Sequence, residues 1–163
     1  MPAWGTGYFD NDEANLCLTN LTTYQPTKDE IGHIITILSE NLTKPYLEVH
    51  SCSDTMIISI LIISLHTQDW IHLHPDIRNN EKLAILKFIR RNQTIWERKY
   101  HQSMGLEVLE LVMKCLDVVL DRKRSECSEL WYETTRYGEW KNTIGDLKIE
   151  LQIIKQQQYL VPL

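Results

Sequence analysis

The sequence predicts an all-α fold, a single-domain helical bundle of six or seven helices packed around a central apolar helix at about residues 53–65. Apolar residues recur at helical spacing through nearly the whole chain. The most apolar run, Met56 to Leu65, lies between segments that share this spacing. Neither an internal repeat nor a linker is visible, so one domain spanning residues 1–163 is expected, long enough for one hydrophobic core.

The first three helices are marked by apolar stripes and by residues suited to their N-termini. Asp10 and Thr27 each precede a glutamate by three residues, which is a capping-box pattern. Ser53 is suited to cap the third helix, and Pro26 and Pro45 end the first two. The predicted buried stripes are Ala14, Cys17, Leu18 and Leu21 in the first helix, and Ile31, Ile34, Ile35, Leu38 and Leu42 in the second.

The Met56–Leu65 run is predicted to be the buried central helix because it is apolar on all sides. Its β-branched isoleucines would also suit a strand, but the flanking segments are helical and no partner strand is visible. The run is ten residues long, whereas a bilayer span takes about 20. We therefore expect no membrane association, and the early acidic residues argue against a signal peptide.

The second half of the chain has the most regular stripes. A helix that starts near Leu83 is expected to falter near Asn92-Gln93, and a short helix to start at Ser125 or Ser128. Two long helices are predicted by the stripes Leu106, Leu109, Met113, Leu116 and Leu120, and then Trp140, Ile144, Leu147, Leu151 and Ile154.

Residues 66–80 form the longest predicted loop, because they lack a stripe and contain a proline. Trp70 lies in this loop among histidines and aspartates. An exposed aromatic residue in an acidic loop is typical of a protein-binding hot spot, and the alternative is a tryptophan folded back on the core. We predict that the partner contacts Asp69, Trp70, His72, His74 and Asp76.

Carboxylate and imidazole groups in the same loop could instead bind a metal. His66, Asp69, His72, His74 and Asp76 carry ligands that suit zinc or iron, and His72 and His74 would share one side of an extended segment. The spacing fixes no third ligand, so ordinary loop histidines are the main interpretation. No metal or other cofactor is expected, and a metal-dependent hydrolase that uses the His66–Asp76 loop is the alternative.

Charge is distributed unevenly along the chain. Residues 1–76 contain two basic and ten acidic residues, whereas residues 77–163 contain fifteen basic and twelve acidic ones. An acidic half repels nucleic acid and attracts a basic protein partner, unless folding mixes these charges on the surface. The basic clusters Arg90-Arg91 and Arg122-Lys123-Arg124 lack interleaved aromatic residues, so nucleic-acid binding is not expected.

The four cysteines are far apart and form no C-x-x-C pair. This spacing predicts reduced, mostly buried thiols in a cytoplasmic protein rather than a disulfide framework or a zinc site. The residues are Cys17, Cys52, Cys115 and Cys127.

A run of glycines and aromatic residues stands at the N-terminus, Trp4-Gly5-Thr6-Gly7-Tyr8-Phe9-Asp10-Asn11-Asp12, followed by Glu13-Ala14. Glycines beside rings predict a tight loop whose backbone passes close to packed aromatic groups. The run resembles the W-G-x-G-x-F-D-N-D-x-A pattern of a bacterial family known as domain of unknown function 4259. The C-terminal Ser128–Trp131 and Trp140 segments resemble that family's closing pattern. We interpret as a structural signature the residues Trp4, Gly5, Gly7, Phe9, Asp10, Asp12, Trp131 and Trp140.

The resemblance implies a function in addition to a fold. Members of this family often lie beside polymorphic toxin genes and are interpreted as immunity proteins, without an established catalytic activity. We therefore expect a cytoplasmic immunity protein that neutralises a cognate toxin, such as a contact-dependent growth inhibition toxin or a nuclease, by stoichiometric protein–protein contact. The chain has no phosphate-binding or nucleophile motif of an enzyme. A helical scaffold without a toxin partner is a further alternative.

Overall fold

A computed structural model describes residues 6–10, 12–23, 25, 29–100 and 103–159, and this part of the chain is an all-α bundle, as predicted. It contains seven α-helices, together with a 3₁₀ turn and a π-helical turn. The helices are α1 (Asp12–Thr22), α2 (Glu30–Thr43), α3 (Val49–His66), α4 (Asn79–Ile95), α5 (Ser103–Leu120), α6 (Glu126–Tyr132) and α7 (Tyr137–Tyr159). The 3₁₀ turn is Trp70–Leu73 and the π turn is Trp96–Tyr100.

Helix α3 is the centre of the bundle, as its all-round apolar character predicts. It packs against α1, α2, α4, α5, α6 and α7, which enclose it on all sides from Thr55 to Leu65. Every residue from Thr55 to Leu65 is buried, including Ser59 and Ser64. The predicted stripes of α1 and α7 face this core, and all their residues are buried. They are Ala14, Cys17, Leu18 and Leu21 in α1, and Trp140, Ile144, Leu147, Leu151 and Ile154 in α7.

By length and composition alone, α3 could also cross a membrane. Of its 18-residue window, 78% is buried inside the protein. Packing on all sides therefore accounts for its apolar sequence, as in the core helix of any packed bundle.

The N-terminus of α3 lies at Val49, earlier than the predicted start at Ser53. The backbone N–H of Val49 donates to the carboxylate of Glu126, at 2.8 Å. A side chain from α6 thus satisfies a donor at the helix start, and its negative charge suits the positive end of the helix. Ser53 is buried inside the helix instead.

The capping box predicted at Asp10 and Glu13 is not formed. Helix α1 begins at Asp12, and the Asp10 carboxylate accepts a hydrogen bond from the N–H of Gly7, at 2.7 Å, on its N-terminal side. The N-cap of α2 is Asp29, whose side chain accepts from Gly32 N–H at 3.0 Å. Thr27 lies outside the described residues. Both predicted glutamates bind side chains from other helices.

One of these glutamates, Glu30, forms an ion pair in the interior. It is 7% exposed, and its two carboxylate oxygens accept hydrogen bonds from Arg91, the shortest at 2.8 Å, and from Asn92. Arg91 also donates to the carbonyl of Thr22, at 2.7 Å. A buried carboxylate needs such partners, because an unpaired one carries a large desolvation penalty. The pair therefore ties together the end of α1, the start of α2 and the middle of α4.

The sequence predicts a break in α4 near Asn92-Gln93, but the helix continues to Ile95. The Asn92 amide donates to the carbonyl of Phe88 and to Glu30, so its polar group is satisfied within the bundle. The irregularity follows as the π turn. There the buried rings of Trp96 and Tyr100 stack with centroids 5.3 Å apart.

Candidate functional site

The segment in which the sequence predicts partner contact is an ordered turn. The N–H of Trp70 donates to the carbonyl of Thr67 and the N–H of His72 to the carbonyl of Asp69, each at 3.0 Å. A further hydrogen bond joins Ile77 N–H to the His74 carbonyl, at 3.2 Å. These bonds hold the segment between α3 and α4 in one defined conformation.

The prediction of an exposed Trp70 is wrong. Trp70 is 2% exposed, because its ring folds back on the core and packs against His74, with centroids 4.0 Å apart, and against Tyr8, at 6.0 Å. The structure thus shows the alternative that the sequence left open. Between Thr67 and Ile77, the exposed residues are Gln68, Asp69, His72, Leu73, Pro75 and Asp76.

His74 lies at the boundary between this core and the solvent. Burial against the rings lowers its pKa from the usual 6.5, and the carboxylates of Glu150, Asp146 and Asp76 oppose that shift. Lys82 also lowers the pKa. The electrostatic surroundings of His74 therefore include three carboxylates, two of which belong to α7.

The loop histidines do not converge on a metal-binding geometry. The Nδ1 atom of His66 lies 2.8 Å from Gln158 Oε1, and its ring packs edge-on against Trp96 at 5.0 Å. His72 is exposed and His74 packs on Trp70. Within the described part of the chain, the metal-ligating atoms that do come together belong to Glu13, Cys17 and His50. The hydrolase alternative built on the His66–Asp76 loop thus lacks a converging ligand set.

The loop and the outer side of α7 form one surface. His66 contacts Gln158 near the end of α7, whereas His74 lies near Asp146 and Glu150. Large apolar side chains are exposed on both elements: Leu73 of the 3₁₀ turn by 73%, and Ile149 and Ile153 of α7 by 57% and 38%. We call this surface the acidic face, and define it by Asp69, Leu73, Asp76, Asp146, Ile149, Glu150 and Ile153.

Helix α7 separates its charges between two edges. Lys148 pairs with Asp117 of α5, and Lys155 lies 3.3 Å from Glu110 of the same helix. Asp146 and Glu150 are four residues apart and so share the other edge. Lys148 and Lys155 are therefore paired with α5, and Lys141 lies over the Tyr137 ring, so Asp146 and Glu150 are left on the acidic face.

The described part of the N-terminal signature lies beneath this face. Tyr8 contacts Trp70 and His74, and Phe9 is 4% exposed. A Cβ atom added at Gly7 would stand 2.6 Å from the Asp10 carboxylate oxygen, so a larger residue there would displace the Asp10 side chain from its hydrogen bond with the Gly7 N–H. Trp131 and Trp140 are buried and stacked at 6.3 Å, Asp12 is exposed, and Trp4 and Gly5 lie outside the described residues.

Thr6 attaches this loop to the start of α7. The Glu139 carboxylate accepts hydrogen bonds from Thr6 Oγ1, at 2.7 Å, and from Arg136, at 2.9 Å. The Arg136 bond, followed by the Thr6 bond, lowers the pKa of Glu139 from 4.5 to about 2. A carboxylate with a lower pKa in the folded state stabilises the fold at high pH, and this contribution is lost on acidification.

Glu139→Gln should therefore flatten the acid side of the stability profile. In the wild-type protein the Glu139 contribution is complete above pH 4.5 and disappears as the pH falls to about 2. The melting temperatures of the two proteins should accordingly approach each other over this range, by a small amount because the pair is exposed. Glu133→Gln, at another exposed carboxylate, is the control. Melting curves that stay parallel down to pH 2 would show that Glu139 does not stabilise the loop.

Glu13, the other glutamate predicted to cap a helix, belongs to a cluster of side chains that the sequence did not predict. Its Oε1 atom lies 2.8 Å from His50 Nδ1, and His50 Nε2 lies 3.3 Å from an Asp54 oxygen. The Cys17 Sγ atom is 4.0 Å from the same Nδ1. The available signal was that Glu13 and Cys17, like His50 and Asp54, are four residues apart on one helix.

The four cysteines are buried, as predicted. Burial raises the pKa of the Cys17 thiol most strongly, and the carboxylates of Asp54 and Glu13 raise it further. Burial also raises the pKa of Cys115, to about 11. The Cys17 and Cys115 thiols are therefore protonated at neutral pH in the absence of a nearby cation.

Comparison with known proteins identifies the family. The family model described as a domain of unknown function (DUF4259) matches residues 2–143, so the chain belongs to this family. Neither a curated protein nor a solved structure matches the chain. The description of this family assigns it no activity.

Proposed function

We propose that this protein is an immunity protein, which neutralises a cognate bacterial toxin in the cytoplasm by stoichiometric contact and acts by binding rather than by catalysis. The observation that carries the proposal is the acidic face, in which exposed apolar side chains are bordered by carboxylates. The tendency of the family to lie beside polymorphic toxin genes supports the same function.

The composition of the acidic face suits a protein partner with a basic surface. Leu73, Ile149 and Ile153 offer apolar area that a partner can remove from water, and this burial provides the main favourable term in protein association. The surrounding carboxylates pair best with lysine and arginine. Toxins that act on RNA or DNA bind phosphates through basic clefts, so an acidic face can occupy the position of the substrate.

The two kinds of side chain should contribute differently to binding. Carboxylates at the rim of an interface act over a distance and raise the rate of encounter with a basic partner. Apolar residues act only after contact, because their contribution depends on exclusion of water, and they mainly slow dissociation. The proposal therefore predicts separable kinetic effects.

Charge reversal at Asp146 or Glu150, and Leu73→Ser, should each weaken binding while the protein stays folded. The partner to test is the toxin domain encoded by the neighbouring reading frame, with rates measured by surface plasmon resonance. Asp146→Lys and Glu150→Lys should slow association, by an amount that shrinks as salt is added. Leu73→Ser should accelerate dissociation, by about tenfold if the side chain lies near the centre of the interface.

Matched substitutions elsewhere on the surface serve as controls. Glu40→Lys reverses an exposed carboxylate on α2, and Leu16→Ser removes a 52% exposed leucine from α1. Both should leave the two rates unchanged. Asp69→Lys and Asp76→Lys test the loop part of the face. Full toxin binding by all the face variants, each shown to be folded by circular dichroism, would place the interface elsewhere.

A further inference from the structure

The crossing of α1 and α3 brings four metal-binding side chains together. Glu13 and Cys17 are four residues apart on α1, and His50 and Asp54 are four apart on α3, so each pair lies on one face of its helix. The ligand atoms of Glu13, Cys17 and His50 all lie within 4.8 Å of one another.

We propose that Glu13, Cys17 and His50 bind a zinc ion and that Asp54 orients the imidazole. This site does not depend on the immunity function and lies on helices other than α7. A carboxylate, a thiolate and an imidazole are ligands that zinc accepts together, and the sulfur disfavours magnesium and calcium.

The orientation of His50 fits this role. Its Nε2 atom lies 3.3 Å from Asp54 Oδ2, which leaves Nδ1 directed at Glu13 and Cys17. Histidines that bind metals commonly donate their other ring N–H to a carboxylate, which fixes the ring and its tautomer. With the ring proton on Nε2 facing Asp54, the lone pair of Nδ1 is free to bind zinc, and the thiol proton of Cys17 would pass to the solvent.

The distances require only a small adjustment. Zinc bond lengths of about 2.0–2.3 Å place the ligand atoms of a tetrahedral site about 3.3 Å apart for N···O and about 3.5 Å apart for N···S. The N···O distance between His50 and Glu13 is 2.8 Å, and the N···S distance between His50 and Cys17 is 4.0 Å. Zinc binding therefore requires the first distance to lengthen and the second to shorten, each by about 0.5 Å, and the Glu13 side chain is 30% exposed and has room to rotate.

Buried and exposed ligands together make the site both selective and accessible. Cys17 is fully buried, whereas the His50 side chain is 59% exposed. His50 and Asp54 also line an open cavity of about 280 Å³. Three protein ligands beside such a cavity leave the fourth tetrahedral position for water or for a group from another molecule.

Metal titration of the full chain tests the proposal. Calorimetry should find one zinc ion per chain, and cobalt(II) in its place should show the near-ultraviolet absorption of a thiolate–cobalt bond. Cys17→Ser should abolish that absorption, and His50→Ala should weaken zinc binding at least tenfold. Asp54→Asn should weaken it by about 10–100-fold, because the ring loses its orienting partner.

Two matched variants separate this cluster from other groups. His72→Ala removes an exposed histidine of the loop, and Cys115→Ser removes a buried thiol on α5; both should bind zinc as the wild-type protein does. His50→Ala keeps the test valid if Cys17→Ser fails to fold, since the His50 side chain is largely exposed. Cobalt bound without thiolate absorption, or zinc bound by His50→Ala with wild-type affinity, would overturn the proposal.

Discussion

Ile60→Asp is expected to unfold the protein. Ile60 is completely buried at the middle of α3, the helix against which α1, α2, α4, α5, α6 and α7 all pack. An aspartate there would bury a carboxylate among apolar side chains, at a cost of several kcal/mol, against a total stability of about 5–15 kcal/mol for a domain of this kind. Far-ultraviolet circular dichroism and urea unfolding measure the effect.

Two controls separate the buried charge from other effects of substitution at this site. Ile60→Val removes one methylene and should cost only about 0.5–1.5 kcal/mol. Leu16→Asp places the same new charge at a 52% exposed position of α1 and should change stability little. An Ile60→Asp protein with the helical signal and unfolding midpoint of the wild type would contradict the central position of α3.

The architecture could be predicted from the sequence because it depends on local patterns. The run from Met56 to Leu65 is apolar in every direction, and only the centre of a bundle can bury such a helix. The apolar stripes of α1 and α7 likewise indicate which side of each helix packs against the core. Periodicity is present in the chain before it folds, and therefore it can be read without a structure.

The helix starts could not be predicted in the same way. Val49 is capped by Glu126, which is 77 residues away in the chain. Glu13 and Glu30 stand at capping-box positions, but they bind His50 and Arg91 from other helices. Each carboxylate thus binds a side chain from a distant helix and not the backbone N–H of its own N-cap. A local sequence pattern cannot predict this, because it contains no information on which distant side chains come near.

The candidate sites were predictable only in part, for the same reason. The zinc-binding cluster combines two i, i+4 pairs from different helices, and their meeting depends on how α1 crosses α3. The acidic face joins Asp76 of the acidic first half to Asp146 and Glu150 of the net-positive second half. Charge counted along the chain therefore indicates the sign of the partner, whereas the face depends on the fold.

Trp70→Ala is expected to destabilise the fold, and not merely to remove a contact with the toxin. Removing a buried tryptophan leaves a cavity and typically costs about 3–5 kcal/mol. Here the indole holds Tyr8 of the N-terminal loop and His74 in place, at centroid distances of 6.0 and 4.0 Å. Urea unfolding should show the loss directly. Any loss of toxin binding should then follow from disorder of the acidic face.

The pKa of His74 provides a second measure of the same packing. Burial lowers this pKa in the folded protein, so an unfolded chain binds the proton more readily and stability falls as the pH drops below about 6.5. Removing the indole exposes the imidazole to water, so Trp70→Ala should raise the pKa of His74, as measured by NMR titration, and weaken this pH dependence. Leu73→Ala, at a 73% exposed neighbour, should leave both stability and the His74 pKa unchanged. A Trp70→Ala protein that keeps wild-type stability but loses toxin binding would instead show that Trp70 contacts the toxin.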